Sequence, residues 1–200
     1  MRAAATAEAS RPTLASALWQ ETGLMRAVIL VLVGTAALTL SAKINVPFYP
    51  IPMTMQTFVV LVLGAVYGWR LAAVTVLAYL AQGAVGIPVF AGTPEKGIGL
   101  AYMMGPTGGY LAGFVLAAIL VGVLAERGWD RSPLRLFAAM FLGHVVIFAC
   151  GVAWLGSLIG FDKAWASGVA PFYFATLFKT ALGAVVVPAA WYALDRRKAE

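Results

Sequence analysis

Cysteine and histidine each occur once in this chain, Cys150 and His144, and carboxylates are scarce, with eight Asp and Glu against fourteen Lys and Arg. One thiol excludes an internal disulfide, and one thiol with one imidazole excludes a zinc cluster. No Gly-rich phosphate loop of the Walker kind is present, so the chain is not an ATPase. No serine sits in a Gly-x-Ser-x-Gly setting, and Ser157, thirteen residues from His144, falls on a different helical face. A serine hydrolase is therefore excluded, and no catalytic function or cofactor is expected. The first twenty residues, MRAAATAEASRPTLASALWQ, contain no apolar core of leader-peptide length, so no cleaved signal is expected either.

What is abundant is apolar surface. Hydrophobic residues make up 62% of the chain and charged residues 11%, with a mean hydropathy of +0.90, which describes an integral membrane protein. The net charge of +6 would raise nucleic acid as a partner for a soluble chain. Here the basic residues fall in short connections between apolar runs, and topology explains them. Six charge-poor segments stand out, at residues 24–42, 53–69, 71–86, 110–125, 136–158 and 171–194. The expectation is an all-α membrane protein with six transmembrane helices, the second and third forming a tight hairpin around Gly68. Residues 1–23 read as a loose cytoplasmic tail, helical near residues 14–19, and residues 24–200 as one membrane domain. Arg2, Arg11, Arg26, Arg70, Arg127, Arg131, Arg135, Arg196, Arg197 and Lys198 fall on one side of this arrangement, and only Lys43, Lys96 and Lys163 on the other. Basic residues accumulate in cytoplasmic loops, so both termini are expected to be cytoplasmic.

Residues 79–114 stand apart, carrying nine glycines and three prolines between apolar segments. Non-helical backbone at membrane depth persists only where it is buried in protein or lines a polar cavity, and long connections are usually functional or disordered. Ile87, Val89, Phe90 and Tyr102 make this one too apolar for disorder, so it reads as a packed lid or pocket wall. The first loop, residues 43–52 (KINVPFYPIP), is stiffened by its three prolines. Both unusual loops lie on the side opposite the cation-rich one, which implies a site opening outward and the role of an importer or receptor.

Lys179 is the fourteenth cation and lies inside the sixth segment, roughly 12 Å of helix rise past Pro171. An ammonium at that depth costs about 2.5–3.5 kcal/mol on insertion scales. A loop carboxylate or an anionic, hydrogen-bonding ligand would repay that cost, and snorkelling to the interface is the bland alternative. Gln56 and Gln82 add amides that suit a urea or carboxamide ligand, although an amide within a span also serves to pair helices. Asn45, and Thr176 on the Lys179 face, add possible contacts. His144 reads as a helix-packing histidine and Cys150 as inert core. Gly34, Thr35, Ala37, Thr39 and Ala42 give the first segment a small-residue surface that another helix, inside or outside the chain, can approach.

Four motifs carry a resemblance: IPMTMQTF at 51–58, YLAQGAVGIPVFAG at 79–92, MGPTGGYLAGF at 104–114 and APFYFATLFKTALG at 170–183. Through them the chain resembles the BioY family, the biotin-specific membrane subunit, or S component, of energy-coupling-factor vitamin transporters. The resemblance implies six helices with cytoplasmic ends, in the cytoplasmic membrane of a prokaryote, and an outward pocket roofed by the two unusual loops. It places Gln56, Gln82, Phe90, Tyr110 and Lys179 near that pocket, and Tyr79, Asn45 and Thr176 complete the candidate ligand-binding set. Thr176 stands where the family commonly has an Asp. It further implies biotin as ligand, and as partners a transmembrane coupling subunit and two ATPase subunits. The coupling subunit would dock on the first-helix face formed by Ala27, Val31, Thr35 and Thr39. A binding protein of the same kind for another vitamin, or a membrane protein with a non-transport role, is the alternative reading.

Overall fold

The computed structural model describes residues 11–46, 51 and 53–199, apart from the side chains of Asn45, Val46 and Ala199. The chain runs through α1 (Leu14–Leu18), α2 (Leu24–Lys43), β1 (Asn45–Val46), β2 (Met53–Thr54), α3 (Gln56–Tyr67), α4 (Trp69–Ala84), α5 (Gly99–Met103), α6 (Gly108–Glu126), α7 (Pro133–Ile159), α8 (Phe161–Gly168) and α9 (Tyr173–Ala199). Residues 1–10 of the expected tail and residues 47–50 and 52 of the first loop lie outside the described residues.

Part of the expected tail, around α1, is packed against the bundle. Thr13 caps α1 by accepting from the Ser16 N–H at 3.4 Å, Leu14 and Ala15 are buried, and the Arg11 N–H donates to the Glu126 carbonyl at 2.9 Å. The α3–α4 hairpin forms as the sequence indicates. Gly68 turns the chain at φ 77°, a left-handed conformation that costs glycine little. The Glu126 carboxylate then accepts from the Trp69 N–H at 3.2 Å, fastening the hairpin tip to the end of α6.

The second of the six expected crossings is shorter than anticipated. Among the described residues, α2, α6, α7 and the α8–α9 segment Phe161–Lys198 are long and apolar enough to cross a membrane. α3, at 12 residues, and α4, at 16, rise only about 18 and 24 Å, against a hydrocarbon core of about 30 Å. The reason is local. Met53 and Thr54, taken as the start of the second crossing, instead pair antiparallel with Val46 and Asn45, so α3 starts only at Gln56.

α6 is the centre of the bundle and packs against α3, α4 and α7. Its small residues permit this, since glycine at a crossing lets two backbones approach closely. A Cβ at Gly113 would stand 2.9 Å from the Ile147 Cα and 3.2 Å from the Cys150 Cβ of α7. α2 is the outermost of the long helices, with Leu24, Met25, Leu32, Val33 and Leu40 exposed. The turn between α6 and α7 is anchored rather than solvated. Asp130, 1% exposed, accepts from the Trp191 indole N–H at 2.6 Å, and the Arg131 guanidinium lies 3.9 Å from the centroid of that ring. Burial raises the Asp130 carboxyl above its ordinary value, against the opposing pull of the indole bond.

The close α6–α7 contact sets an expectation. Gly113→Ala should lower the stability of the detergent-solubilised protein by about 1–3 kcal/mol, the usual cost of overpacking, read as a lower midpoint in thermal unfolding.

Candidate functional site

Between α3, α6, α7, α9 and the loop that joins α4 to α5 lies a cavity with a polar edge and an aromatic wall. The polar edge is Thr54, Gln56, Thr57, Thr176 and Lys179, and the wall includes Phe90, Tyr110, Phe114, Phe148 and Phe172. Its volume is about 60 Å³, well under the roughly 300–1,000 Å³ typical of small-molecule sites.

The loop between α4 and α5 forms the roof, placing Phe90 and Ala91 in the lining. The Phe90 ring stacks on Tyr102 at 5.0 Å between centroids and meets the edge of Tyr79 at 5.4 Å. It rests against Gly83, where any Cβ would overlap the ring. Side chains satisfy the loop's carbonyls in turn. Tyr79 Oη donates to the Val89 carbonyl at 3.0 Å, and Lys43 Nζ and Thr93 Oγ1 donate to that of Phe90 at 3.0 and 2.7 Å. Tyr102 Oη donates to Ala91 at 2.8 Å, and Lys43 Nζ also reaches the Thr93 carbonyl at 2.9 Å. Burial raises the Tyr102 phenol above its ordinary value, which keeps it a proton donor.

Lys179 sits at the opposite edge, 6% exposed. Its Nζ donates to the Thr54 carbonyl at 2.6 Å and to Thr57 Oγ1 at 3.3 Å. The ammonium is thus held by a carbonyl and a hydroxyl at the start of α3, where the sequence pointed to a loop carboxylate or a ligand. An ammonium has three donors, so these two bonds leave one N–H directed elsewhere. Gln56, also buried, lines the cavity and donates through Nε2 to Tyr79 Oη at 2.7 Å. A chain of bonds therefore runs from the cavity edge through Gln56 and Tyr79 to the roof at Val89.

The structure brings Gln56, Phe90, Tyr110, Thr176 and Lys179 together around the cavity. Tyr110 reaches it from α6 and donates to the Gly168 carbonyl at 2.9 Å. Tyr79 stands one step behind, fully buried. Gln82 is not part of the lining; its Nε2 donates to Thr35 Oγ1 at 3.4 Å, joining α4 to α2, which is the helix-pairing role left open for it. The Asn45 backbone pairs with Thr54, and its side chain lies outside the described residues. His144 packs helices as expected, with Nδ1 3.1 Å from the Met140 carbonyl and 3.2 Å from Thr180 Oγ1. Sequence reasoning missed Lys43, Thr57 and Tyr102. Their partners lie in other elements or on backbone carbonyls, and nothing in their own neighbourhood marks them.

On the flank of α2, Ala27 and Val31 line an apolar groove against α4, together with Val28, Leu32, Leu71 and Val74. Thr35 is buried by its contact with Gln82. Thr39 is half-buried and donates to the Thr35 carbonyl at 2.8 Å. Of the four residues expected on one docking face, two thus flank the groove and one is turned inward.

Comparison with known proteins follows the same lines. The model of the BioY family matches residues 9–196. A probable biotin transporter BioY of Pyrococcus horikoshii is 36% identical over 159 residues, 80% of this chain and 92% of its own length. A biotin transporter BioY of Thermotoga maritima is 36% identical over 163 residues, 81% of this chain and 94% of its own. The crystal structure of the S-component for biotin from an ECF-type ABC transporter has the same fold, with a TM-score of 0.72 at 24% identity over 82% of this chain and 90% of that one.

The shared bonds of Tyr79 lead to a test. Tyr79→Phe strands the Val89 carbonyl and the Gln56 amide in a buried setting, where each unsatisfied group costs about 1–3 kcal/mol. The variant should unfold at a clearly lower temperature than the parent in the absence of any ligand.

Proposed function

This chain is a member of the BioY family, and on that footing we propose that it captures biotin at the outer face of the cytoplasmic membrane of a prokaryote, as the substrate-binding subunit of an energy-coupling-factor transporter. The observation that carries the reading is Lys179, a buried cationic side chain in the polar edge of a cavity whose opposite wall is aromatic and aliphatic. Biotin matches it in kind. Its fused rings are apolar, its ureido group seeks amide-like and hydroxyl partners, and its valerate is anionic. The remaining Lys179 donor serves a ligand oxygen, and Gln56, Thr57, Thr107 and Tyr110 supply further polar contacts around the rings. Thr176 contributes a hydroxyl in place of a carboxylate, so at that position no acidic side chain competes with the ligand for Lys179. Asn45 completes the set from the first loop.

In this reading the protein crosses the membrane six times, with the short α3–α4 hairpin filled out by the non-helical backbone at its open end. Both termini, including residues 1–23, lie in the cytoplasm, in accord with the cation-rich side of the sequence. The chain performs no chemistry on the vitamin. A transmembrane coupling subunit and two ATPase subunits supply the energy for transport, and the coupling subunit docks on the α2 flank at the groove of Ala27 and Val31, with Thr35 and Thr39 shaping the face from behind. A binding protein for a different vitamin is the competing reading, and titration separates the two.

The purified protein, titrated in detergent with biotin, thiamine and riboflavin, should bind biotin selectively; selective binding of either other vitamin, or of none, overturns the assignment. Lys179→Ala should weaken biotin binding by about 10- to 100-fold, the worth of a hydrogen bond from a charged group, while the variant remains folded; unchanged affinity removes Lys179 from the site. Val31→Trp fills the α2 groove. It should leave biotin affinity of the isolated protein intact and reduce biotin uptake in cells that carry the complete transporter, measured with radiolabelled vitamin.

A further inference from the structure

A cavity of about 60 Å³ cannot receive a vitamin until one wall moves, and the walls differ in what holds them. α6, α7 and α9 are packed along their lengths. The roof, from Val85 to Ile98, is irregular backbone held by a small set of side-chain bonds to its carbonyls. Two of the donors belong to the elements the roof itself connects, Tyr79 on α4 and Tyr102 on α5. Lys43 is different. It is the last residue of α2 and reaches 47 and 50 positions along the chain to the carbonyls of Phe90 and Thr93 and, at 3.1 Å, to Thr93 Oγ1.

We propose that Lys43 is a positioning residue for capture: it latches the roof to the end of α2, holds Phe90 in the cavity wall and sets the rate at which the cavity opens. The chemistry suits a latch. An ammonium bonded to two carbonyls makes charge-assisted bonds stronger than neutral ones, yet the Lys43 side chain is exposed, so water can replace each bond as it breaks. The buried phenols of Tyr79 and Tyr102 have no such substitute. The latch also gives α2 a hold on the roof. α2 packs on α3 and α4 and leaves most of its apolar surface exposed, so a displacement of its end disturbs less packing than a displacement of α6 or α7. A partner seated on the α2 flank would then have a route to the roof through Lys43. The connection to vitamin capture rests on the function proposed above, whereas the latch itself does not.

Hydrogen exchange of the ligand-free, detergent-solubilised protein tests the latch without any ligand. In Lys43→Met the amides of residues 87–97 should exchange about tenfold faster than in the parent, as expected when a segment loses bonds to a charged group. The amides of α6 and α7 should be unchanged, and Lys43→Arg should restore slow exchange. Stopped-flow fluorescence with biotin should show association and dissociation both faster in Lys43→Met, with Kd changing less than either rate. If Lys43→Met does not fold, Lys43→Gln, which keeps a neutral donor, should give an intermediate acceleration. Exchange equal to the parent in the methionine or glutamine variant, or equal acceleration in Met and Arg variants, overturns the proposal. So does faster dissociation with unchanged association. Failure of the parent to bind biotin would sink the functional reading, while the exchange result would still decide the latch.

Discussion

Irregular backbone in an apolar protein is tolerable only if each of its carbonyls finds a donor, and the roof over the cavity is organised by that requirement. The carbonyls of Val89, Phe90, Ala91 and Thr93 accept from Tyr79, Lys43 with Thr93, Tyr102 and Lys43 respectively. The donors come from α2, α4, α5 and the roof itself. Satisfying the backbone therefore does more than stabilise a loop. It fixes Phe90 between Tyr79 and Tyr102 and makes an aromatic wall out of a segment with no helix or sheet of its own.

The opposite edge of the cavity answers to the same physics with the roles reversed. There a buried donor, the Lys179 ammonium, needs acceptors, and the end of β2 and the first turn of α3 supply the Thr54 carbonyl and the Thr57 hydroxyl. The late start of α3 makes this possible, because Thr54 remains outside the helix with its carbonyl free to face α9. The feature that shortens the second crossing thus also builds the polar edge. Gln56 links the two edges by bonding Tyr79, so a group placed at the cavity edge is mechanically continuous with the roof.

Much of the site was legible because polarity is conspicuous in apolar sequence. Gln56 and Lys179 interrupt hydrophobic runs, and both reach the cavity. Gln82 interrupts one equally well, yet it spends its amide on Thr35 between α4 and α2. From sequence the two glutamines carry the same signal, and only the packing direction of their helices separates them. Lys43 and Tyr102 were invisible for the opposite reason. A lysine at a helix end and a tyrosine in a loop are ordinary, and their importance comes from carbonyls brought near them by the fold. The length of the second crossing was misread because Met53 and Thr54 are as compatible with an apolar helix as with the strand they form, and their partners, Asn45 and Val46, precede them across a proline-rich loop.

The sequence alone determined the class of protein, the long apolar segments, the hairpin at Gly68 and the family, since these follow from composition, run length and local motifs. It also determined that a buried cation and a glycine-rich segment would require partners. Which groups would serve as those partners was decided by tertiary structure, because a backbone carbonyl is the same at every position and becomes a specific acceptor only when folding brings one donor to it. The placement of Lys179 on Thr54, of Lys43 on Phe90 and Thr93, and of Thr35 against Gln82 instead of on an outer face all belong to that second level.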